Sequence, residues 1–435
     1  MQKKKLSSKF WLALTIFSLV GQVAWVVENM YFNVFIYKMF HASAADISIM
    51  VSASAISATL TTIIIGALSD KIGKRKIFIC GGYMLWGISI WSFSLIRTDM
   101  IDKMIPLTMS AASVGVSLVI IMDCVMTFFG SAANDACFNA WLTDVTDDTN
   151  RGAAEGINSM MPLVAILVVF GGFMSFDLNK AASWTTIYQI IGIVVFVLGI
   201  VGIFLIKDVP VDTAQNQNYF GNVFYGFRPS VIKNNKLFYI ILVAFALFCI
   251  SIQIFMPYLI LYYNVSLGMD NYVLIMAPAV IVAAIVTAFY GRVYDRFHFK
   301  IAVMPAVGTL MLGYVLLYFF QSTALVFVGS LFMMSGYLMG MAVFGAMLRD
   351  YTPENRSGMF QGLRIVGQVL VPGIVGPWIG SMVLQNAEKV LNDDGTYSFI
   401  PNANIFLAAF VAACFIWLIL AVIFKLLKKG KEGQE

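Results

Sequence analysis

Gly66-Ala67-Leu68-Ser69-Asp70-Lys71, continuing into Ile72-Gly73-Lys74-Arg75-Lys76, is answered later in the chain by Gly291-Arg292-Val293-Tyr294-Asp295-Arg296. Each copy closes a long apolar run. The shift that lays Gly66 on Gly291 and Asp70 on Asp295 also lays Glu28 on Gln253 and Tyr37 on Tyr262. A second pair matches Asp144-Val145-Thr146, continuing through Arg151 and Gly156, with Asp350-Tyr351-Thr352, continuing through Arg356 and Gly362. A chain that repeats both its turns and its intramembrane polar positions reads as two copies of one unit.

The solvent for that unit is lipid. Of the 435 residues, 60% are hydrophobic and 12% charged, against about 25% charged in a soluble domain. Roughly 20 apolar residues cross the ~30 Å hydrocarbon layer as a helix. Twelve such runs are expected, at 10–38, 44–69, 77–96, 108–141, 153–176, 184–206, 237–263, 271–294, 301–320, 323–348, 358–384 and 402–424. Met1-Gln2-Lys3-Lys4-Lys5 imitates the basic start of a signal peptide. The run after it is too long and lacks a small-residue cleavage site, so it reads as a retained helix.

The matched turns follow spans two and eight, and the second pair follows spans four and ten. This is what a duplicated six-helix unit with both termini on one side requires. Residues 1–206 form the first half, 237–435 the second, and the polar stretch 207–236 the linker. Alternate loops put most of the 28 Lys and Arg on the side of the termini, leaving Lys38, Arg97, Lys103, Lys180 and Lys389 opposite. That excess places the termini in the cytoplasm, and a multi-pass plasma-membrane protein is expected. The net charge of +5 thus reports topology rather than nucleic-acid binding. Cys80, Cys124, Cys137, Cys249 and Cys414 fall inside spans without paired spacing. With only His41 and His298 besides, no metal, cofactor or enzyme signature stands out.

These residues resemble the major facilitator superfamily, whose cytoplasmic signature is Gly, three variable residues, Asp, a basic residue, then Gly and further basic residues. Gly66, Asp70, Lys71, Gly73, Lys74, Arg75 and Lys76 fit it in full; the second copy keeps Gly291, Asp295, Arg296 and Lys300 but carries Phe297 and His298. The resemblance implies an all-α membrane protein of major facilitator fold, with twelve transmembrane helices in two pseudo-symmetric halves. It also implies a gating role for the turn, steadying the outward-open state. Asn134-Asp135, Trp141 to Asp144, and Arg349-Asp350 through Arg356 are similar to the glycoside, pentoside and hexuronide cation symporters and their sucrose-transporting relatives.

In a short loop, Gly66 and Gly73 permit close backbone approach, and Asp70 can accept from an adjacent helix start or from Arg75. Lys71, Lys74, Arg75 and Lys76 would by themselves only fix topology, which leaves Gly66 and Asp70 unexplained. Asp144 and Asp350 lie within reach of these basic clusters, and Arg151 and Arg356 can pair with them in turn.

Ionisable groups at membrane depth are costly and default to function. Glu28 lies among Trp25, Asn29 and Phe32, spaced to share one helical face, a combination suited to stacking on sugar rings and bonding their hydroxyls. A bond from Glu28 to a neighbouring helix is the plainer reading. In the fourth span Asp123, Thr127, Ser131, Asp135 and Asn139 recur at every fourth residue, with Asn134 beside them, a stripe that slants around a 3.6-residue helix. The matching part of the tenth span has no acid, so proton exchange is expected at Glu28, Asp135 and Asp123, because a carboxylic acid removed from water retains its proton more readily. For Asp123, an interhelical hydrogen bond is the competing role. In the second half Gln253, Tyr258, Tyr262, Tyr263 and Asn264 make the seventh span polar, and Pro257 is expected to interrupt it. Arg364, near Gln361 and Gln368, either meets substrate or snorkels to the cytoplasmic surface.

The expectation is a monomeric secondary transporter importing a sugar or glycoside with a proton. The second span supplies Ser and Thr but no deep acid, which disfavours sodium. Proton-coupled efflux of lipophilic molecules is the competing reading, and a membrane protein without transport activity a third.

Overall fold

A computed structural model of the chain describes residues 6–104, 106, 110–147, 150–208, 225–352, 362–392 and 395–432. Eleven helices among them are long and apolar enough to cross a membrane: α1 (Ser8–Phe40), α2 (Ala44–Ile72), α3 (Arg75–Leu95), α4 (Ala111–Val145), α5 (Arg151–Phe173), α6 (Ala181–Leu205), α7 (Lys236–Ser266), α8 (Val273–Phe319), α9 (Thr323–Asp350), α10 (Gly362–Leu384) and α11 (Asn404–Lys428). The expected count of twelve is approached through α8. Its 47 residues would rise about 70 Å as a straight helix, more than twice the hydrocarbon thickness. At His298 the backbone leaves helical geometry, with φ 59° and ψ 176°. Expected spans 271–294 and 301–320 therefore fall on either side of one break.

Local chemistry sets the helix ends. Ser7 accepts from the Phe10 amide at 3.2 Å to start α1. Ser43 and Asp46 cap each other's backbone amides at the start of α2, at 3.2 and 2.8 Å, satisfying donors that a helix N-terminus leaves free. The α2 helix ends on Gly73, whose φ of 69° and N–H to Ser69 carbonyl bond of 2.9 Å form a left-handed cap that favours glycine. Asp208 accepts from the Lys76 amide at 2.8 Å, placing a carboxylate on the first turn of α3. Between α10 and α11 a hairpin pairs β1 (Lys389–Leu391) with β2 (Tyr397–Phe399).

The chain divides into two compact units, Met1–Phe220 and Gly221–Glu435; the division falls inside 207–236. In the first, Gly87 and Gly192 let α3 and α6 meet at backbone distance, since a Cβ on Gly87 would overlap the Phe196 backbone. Close approach at small residues is how helices associate when lipid removes the hydrophobic drive between them. Phe32, Phe35, Phe93, Trp184 and Tyr188 fill the adjoining core, with ring centroids 4.6 to 5.5 Å apart in most pairs. In the second unit a Cβ on Gly336 would overlap the Leu310 backbone, which brings α9 onto the later part of α8. Phe245, Phe248 and Phe344 pack beside that contact.

Candidate functional site

Among the described residues, four stretches depart from α-geometry by a π turn: Val27–Phe32, Ser131–Phe138, Tyr262–Ser266 and Val366–Leu370. They contain Glu28, Asn134, Asp135, Tyr262 and Gln368. Such bulges frequently mark functional sites because one extra residue re-aims the side chains around it.

In the first unit that re-aiming corrects the expected common face of Trp25, Glu28, Asn29 and Phe32. Glu28 is buried at 7% exposure and Asn29 is exposed, its amide donating to the Trp25 carbonyl at 2.8 Å. Phe32 joins Phe93 and Tyr188 in the core. Glu28 instead faces α2 and α4. Its Oε1 lies at hydrogen-bond distance from Ser54 Oγ, 2.6 Å, and from Thr127 Oγ1, 2.8 Å, and the two hydroxyls are 2.9 Å apart. Its Oε2 is buried with no hydrogen-bond partner among the described residues, and so is Asp123 Oδ1. A buried acid with an unpaired oxygen is costly, which marks the two as more than packing. The plainer reading of Glu28, a bond to neighbouring helices, is therefore present, and it involves only one of its oxygens.

The π turn Ser131–Phe138 also bears on the fourth-residue stripe. Steps of four overshoot an α-turn, and a turn that takes up an extra residue absorbs the overshoot. Ser131 donates to Asp135 at 3.1 Å and Asn139 to the Asp135 carbonyl at 3.2 Å. Asp135 is half-buried. The Trp25 indole N–H lies beside it without completing a hydrogen bond. Asn134 donates to Asp135 Oδ1 at 3.4 Å and also serves a different end. It accepts from the Tyr83 hydroxyl at 3.0 Å, and Tyr83 also donates toward the Phe17 carbonyl at 3.1 Å, tying α1, α3 and α4 together.

At the end of α2 the signature residues assemble. Arg75, 5% exposed, forms an ion pair with Asp70, a second with Asp144 at 3.1 Å through Nε, and a hydrogen bond to Ser69 Oγ at 2.5 Å. Ser69 in turn donates to the Gly66 carbonyl at 2.9 Å. Lys71 and Lys74 are exposed. Arg151, expected to pair with Asp144, instead donates to Thr146 Oγ1 and carbonyl at 3.4 and 3.3 Å and to the Thr143 carbonyl. It braces the end of α4.

The second copy is built differently. A Cβ on Gly291 would meet nothing within 4 Å, so close approach does not require glycine there. Within this unit, Asp295 and Arg296 form no ion pair among the described residues; both are exposed, and Arg296 rests 5.2 Å from the Phe297 ring. Asp350 accepts from the Tyr294 hydroxyl, a neutral donor where the first unit has a guanidinium. Lys300, at the register of Arg75, lies over Phe424 at 5.8 Å. Arg356 and Gln361 lie outside the described residues.

Pro257 interrupts α7 as expected, with a 3-10 turn at Met256–Tyr258. Tyr258 is fully buried and bonds the Pro377 carbonyl at 3.3 Å, and Gln253 packs against Gly376. Tyr262 is buried against Phe406 with its hydroxyl unpartnered. Arg364, half-buried, donates through Nε to Gln368 at 2.7 Å, so it is held along its own helix. Ser54, Ser69 and Tyr83 are contacts the sequence left unmarked; the one signal was the Ser- and Thr-rich second span.

Long apolar helices carrying buried acids at mid-span, with a charged turn at one end, define a polytopic membrane transporter. The major facilitator superfamily model matches residues 10–345, and the chain belongs to that family: a multi-pass transporter and not an enzyme. A search of curated proteins finds no match. Among solved structures, the chain is similar to a variant of the nucleoside transporter NupG, with a TM-score of 0.72 at 13% identity, covering 95% of this chain and 99% of that one. A bacterial homolog of the human lysosomal transporter Spinster, inward-facing and occupied, gives 0.67 at 15%, with 96% and 97% covered. The xylose transporter XylE from E. coli, in a partially occluded inward-open form, gives 0.67 at 13%, with 96% and 99% covered. These identities show a shared fold.

Proposed function

We propose that this transporter imports a sugar or glycoside together with a proton, by alternating access of its two halves, 1–206 and 237–435, across the plasma membrane with both termini in the cytoplasm. The observation that carries the reading is Glu28, buried at 7% exposure with one oxygen on two hydroxyls and the other unpaired. Such a group is a proton carrier by chemistry, because gaining or losing a proton changes its burial cost by several kcal/mol. Asp123 and Asp135 sit on the same polar helix and serve as further carriers. Trp25, Glu28, Asn29, Asn134, Asp135, Gln253, Tyr258, Tyr262 and Arg364 are the proposed substrate contacts, with Trp25 and Arg364 favoured, since Asn134 and Tyr258 already hold structural bonds.

Substrate class draws support from the sequence likeness to glycoside, pentoside and hexuronide symporters and from structural neighbours that include a D-xylose-proton symporter. Protonation and substrate occupancy couple when each biases the same inward–outward equilibrium. The Asp70–Arg75–Asp144 cluster is the proposed cytoplasmic latch of the first half. The test is uptake of labelled sugars into vesicles under an imposed pH gradient, acid outside. Accumulation that collapses with the gradient supports the reading. Gradient-independent uptake indicates a facilitator, and proton-driven extrusion of lipophilic dyes with no sugar uptake indicates the efflux alternative.

A further inference from the structure

The contacts at Glu28 can be counted in protons. Oε1 of Glu28, Oγ of Ser54 and Oγ1 of Thr127 form a closed triangle with sides of 2.6, 2.8 and 2.9 Å, all within the range of O–H···O hydrogen bonds. Each hydroxyl brings one proton and an ionised carboxylate brings none. Two protons cannot fill three bonds. If Glu28 were ionised, both hydroxyls would donate to Oε1, and their own approach at 2.9 Å would set lone pair against lone pair.

We propose that Glu28, Ser54 and Thr127 hold one exchangeable proton as a closed ring of three hydrogen bonds, with the two hydroxyls positioning it. Glu28 Oε1–H donates to one hydroxyl, that hydroxyl donates to the other, and the last donates back to Oε1. Three protons fill three bonds, each polarising the next. The unpaired Oε2 is then a neutral carbonyl oxygen, far cheaper to bury than half of a carboxylate. Losing the proton leaves two donors aimed at one oxygen and turns the Ser54–Thr127 contact repulsive. Release of the proton and separation of α2 from α4 at this point are thus mechanically linked. Among the described residues, the other charged or titratable groups facing Glu28 are Asp123, Cys124 and Asp135, all from α4. None closes such a ring.

The ring's place in transport rests on the proton-coupled reading, but its existence does not, and the experiment separates them. Infrared spectra of the purified protein are recorded at neutral pH in H2O and D2O, and the carbonyl band of a protonated carboxyl is assigned by its loss in Glu28→Gln, with Asp123→Asn and Asp135→Asn as controls. The ring predicts a Glu28 band that shifts upward in frequency in both Ser54→Ala and Thr127→Val, since removing either hydroxyl opens the ring. Ser54→Thr, which keeps the hydroxyl, leaves the band in place and controls for misfolding. No band lost in Glu28→Gln, or a band unmoved in both hydroxyl variants, overturns the ring. A ring present while sugar uptake ignores the pH gradient would instead overturn the coupling.

Discussion

Asp70→Asn and Asp144→Asn, made singly and together, probe the cluster at the end of α2. Arg75 is 5% exposed and held by two carboxylates and Ser69. Removing one carboxylate charge leaves the guanidinium paired with the other, so each single change loses about one charge-assisted bond, roughly 1.5 to 3 kcal/mol. The side chains of Asp70 and Asp144 are 19% and 23% exposed, which moves the expectation to the lower end. Removing both leaves a buried cation without a counter-charge, which costs about 3 to 5 kcal/mol beyond either single change. The double variant is therefore worse than the sum of its parts, with a coupling of at least about 1 kcal/mol. The assay is unfolding of purified protein in detergent, with sugar uptake measured in parallel. Asp70→Asn should insert and fold while its uptake falls steeply. Additive effects below about 0.5 kcal/mol each, the range of an exposed pair, would refute the reasoning, and unchanged uptake in Asp70→Asn would refute the latch.

Substitutions at four further positions have expected outcomes. Glu28→Gln fixes the neutral form, so gradient-driven accumulation drops at least about tenfold while substrate exchange across equal pH persists, as counterflow would register. Gly87→Ala drives a methyl into the Phe196 backbone and lowers stability by about 1 to 3 kcal/mol. Gly171→Ala, where a Cβ meets nothing within 4 Å, is neutral or slightly stabilising in the same thermal scan. His298 lies at φ 59° and ψ 176°, backbone that essentially only glycine adopts without strain, so His298→Gly is expected to raise stability by about 1 to 3 kcal/mol in the same unfolding assay.

The fold was readable because lipid leaves few choices. A segment needs about 20 apolar residues, and its backbone bonds must close internally, so composition alone located the spans to within a few residues. The Arg75 cluster was readable in part: Gly73 is where a left-handed cap is needed, and Asp70 does meet Arg75. The Arg151 pairing failed because in a turn of a few residues backbone carbonyls compete with carboxylates for a guanidinium, and spacing does not record which is nearer. The faces of α1 and α4 failed for another reason. A π turn inserts one residue without changing composition, so periodicity continued through Val27–Phe32 predicted a shared face for Glu28 and Asn29 that the chain does not have. Ser54 was invisible because a serine inside an apolar helix ordinarily bonds its own backbone, and nothing in the sequence tells which serine meets an acid on another helix.

The central claim is that proton movement drives substrate movement through Glu28. The most direct measurement reconstitutes the protein in liposomes, imposes an acid-outside gradient, and follows labelled sugars and internal pH together. The account predicts accumulation above the external concentration with matching internal acidification, both lost on collapsing the gradient and both absent in Glu28→Gln. Accumulation by Glu28→Gln equal to that of the unaltered protein would contradict it.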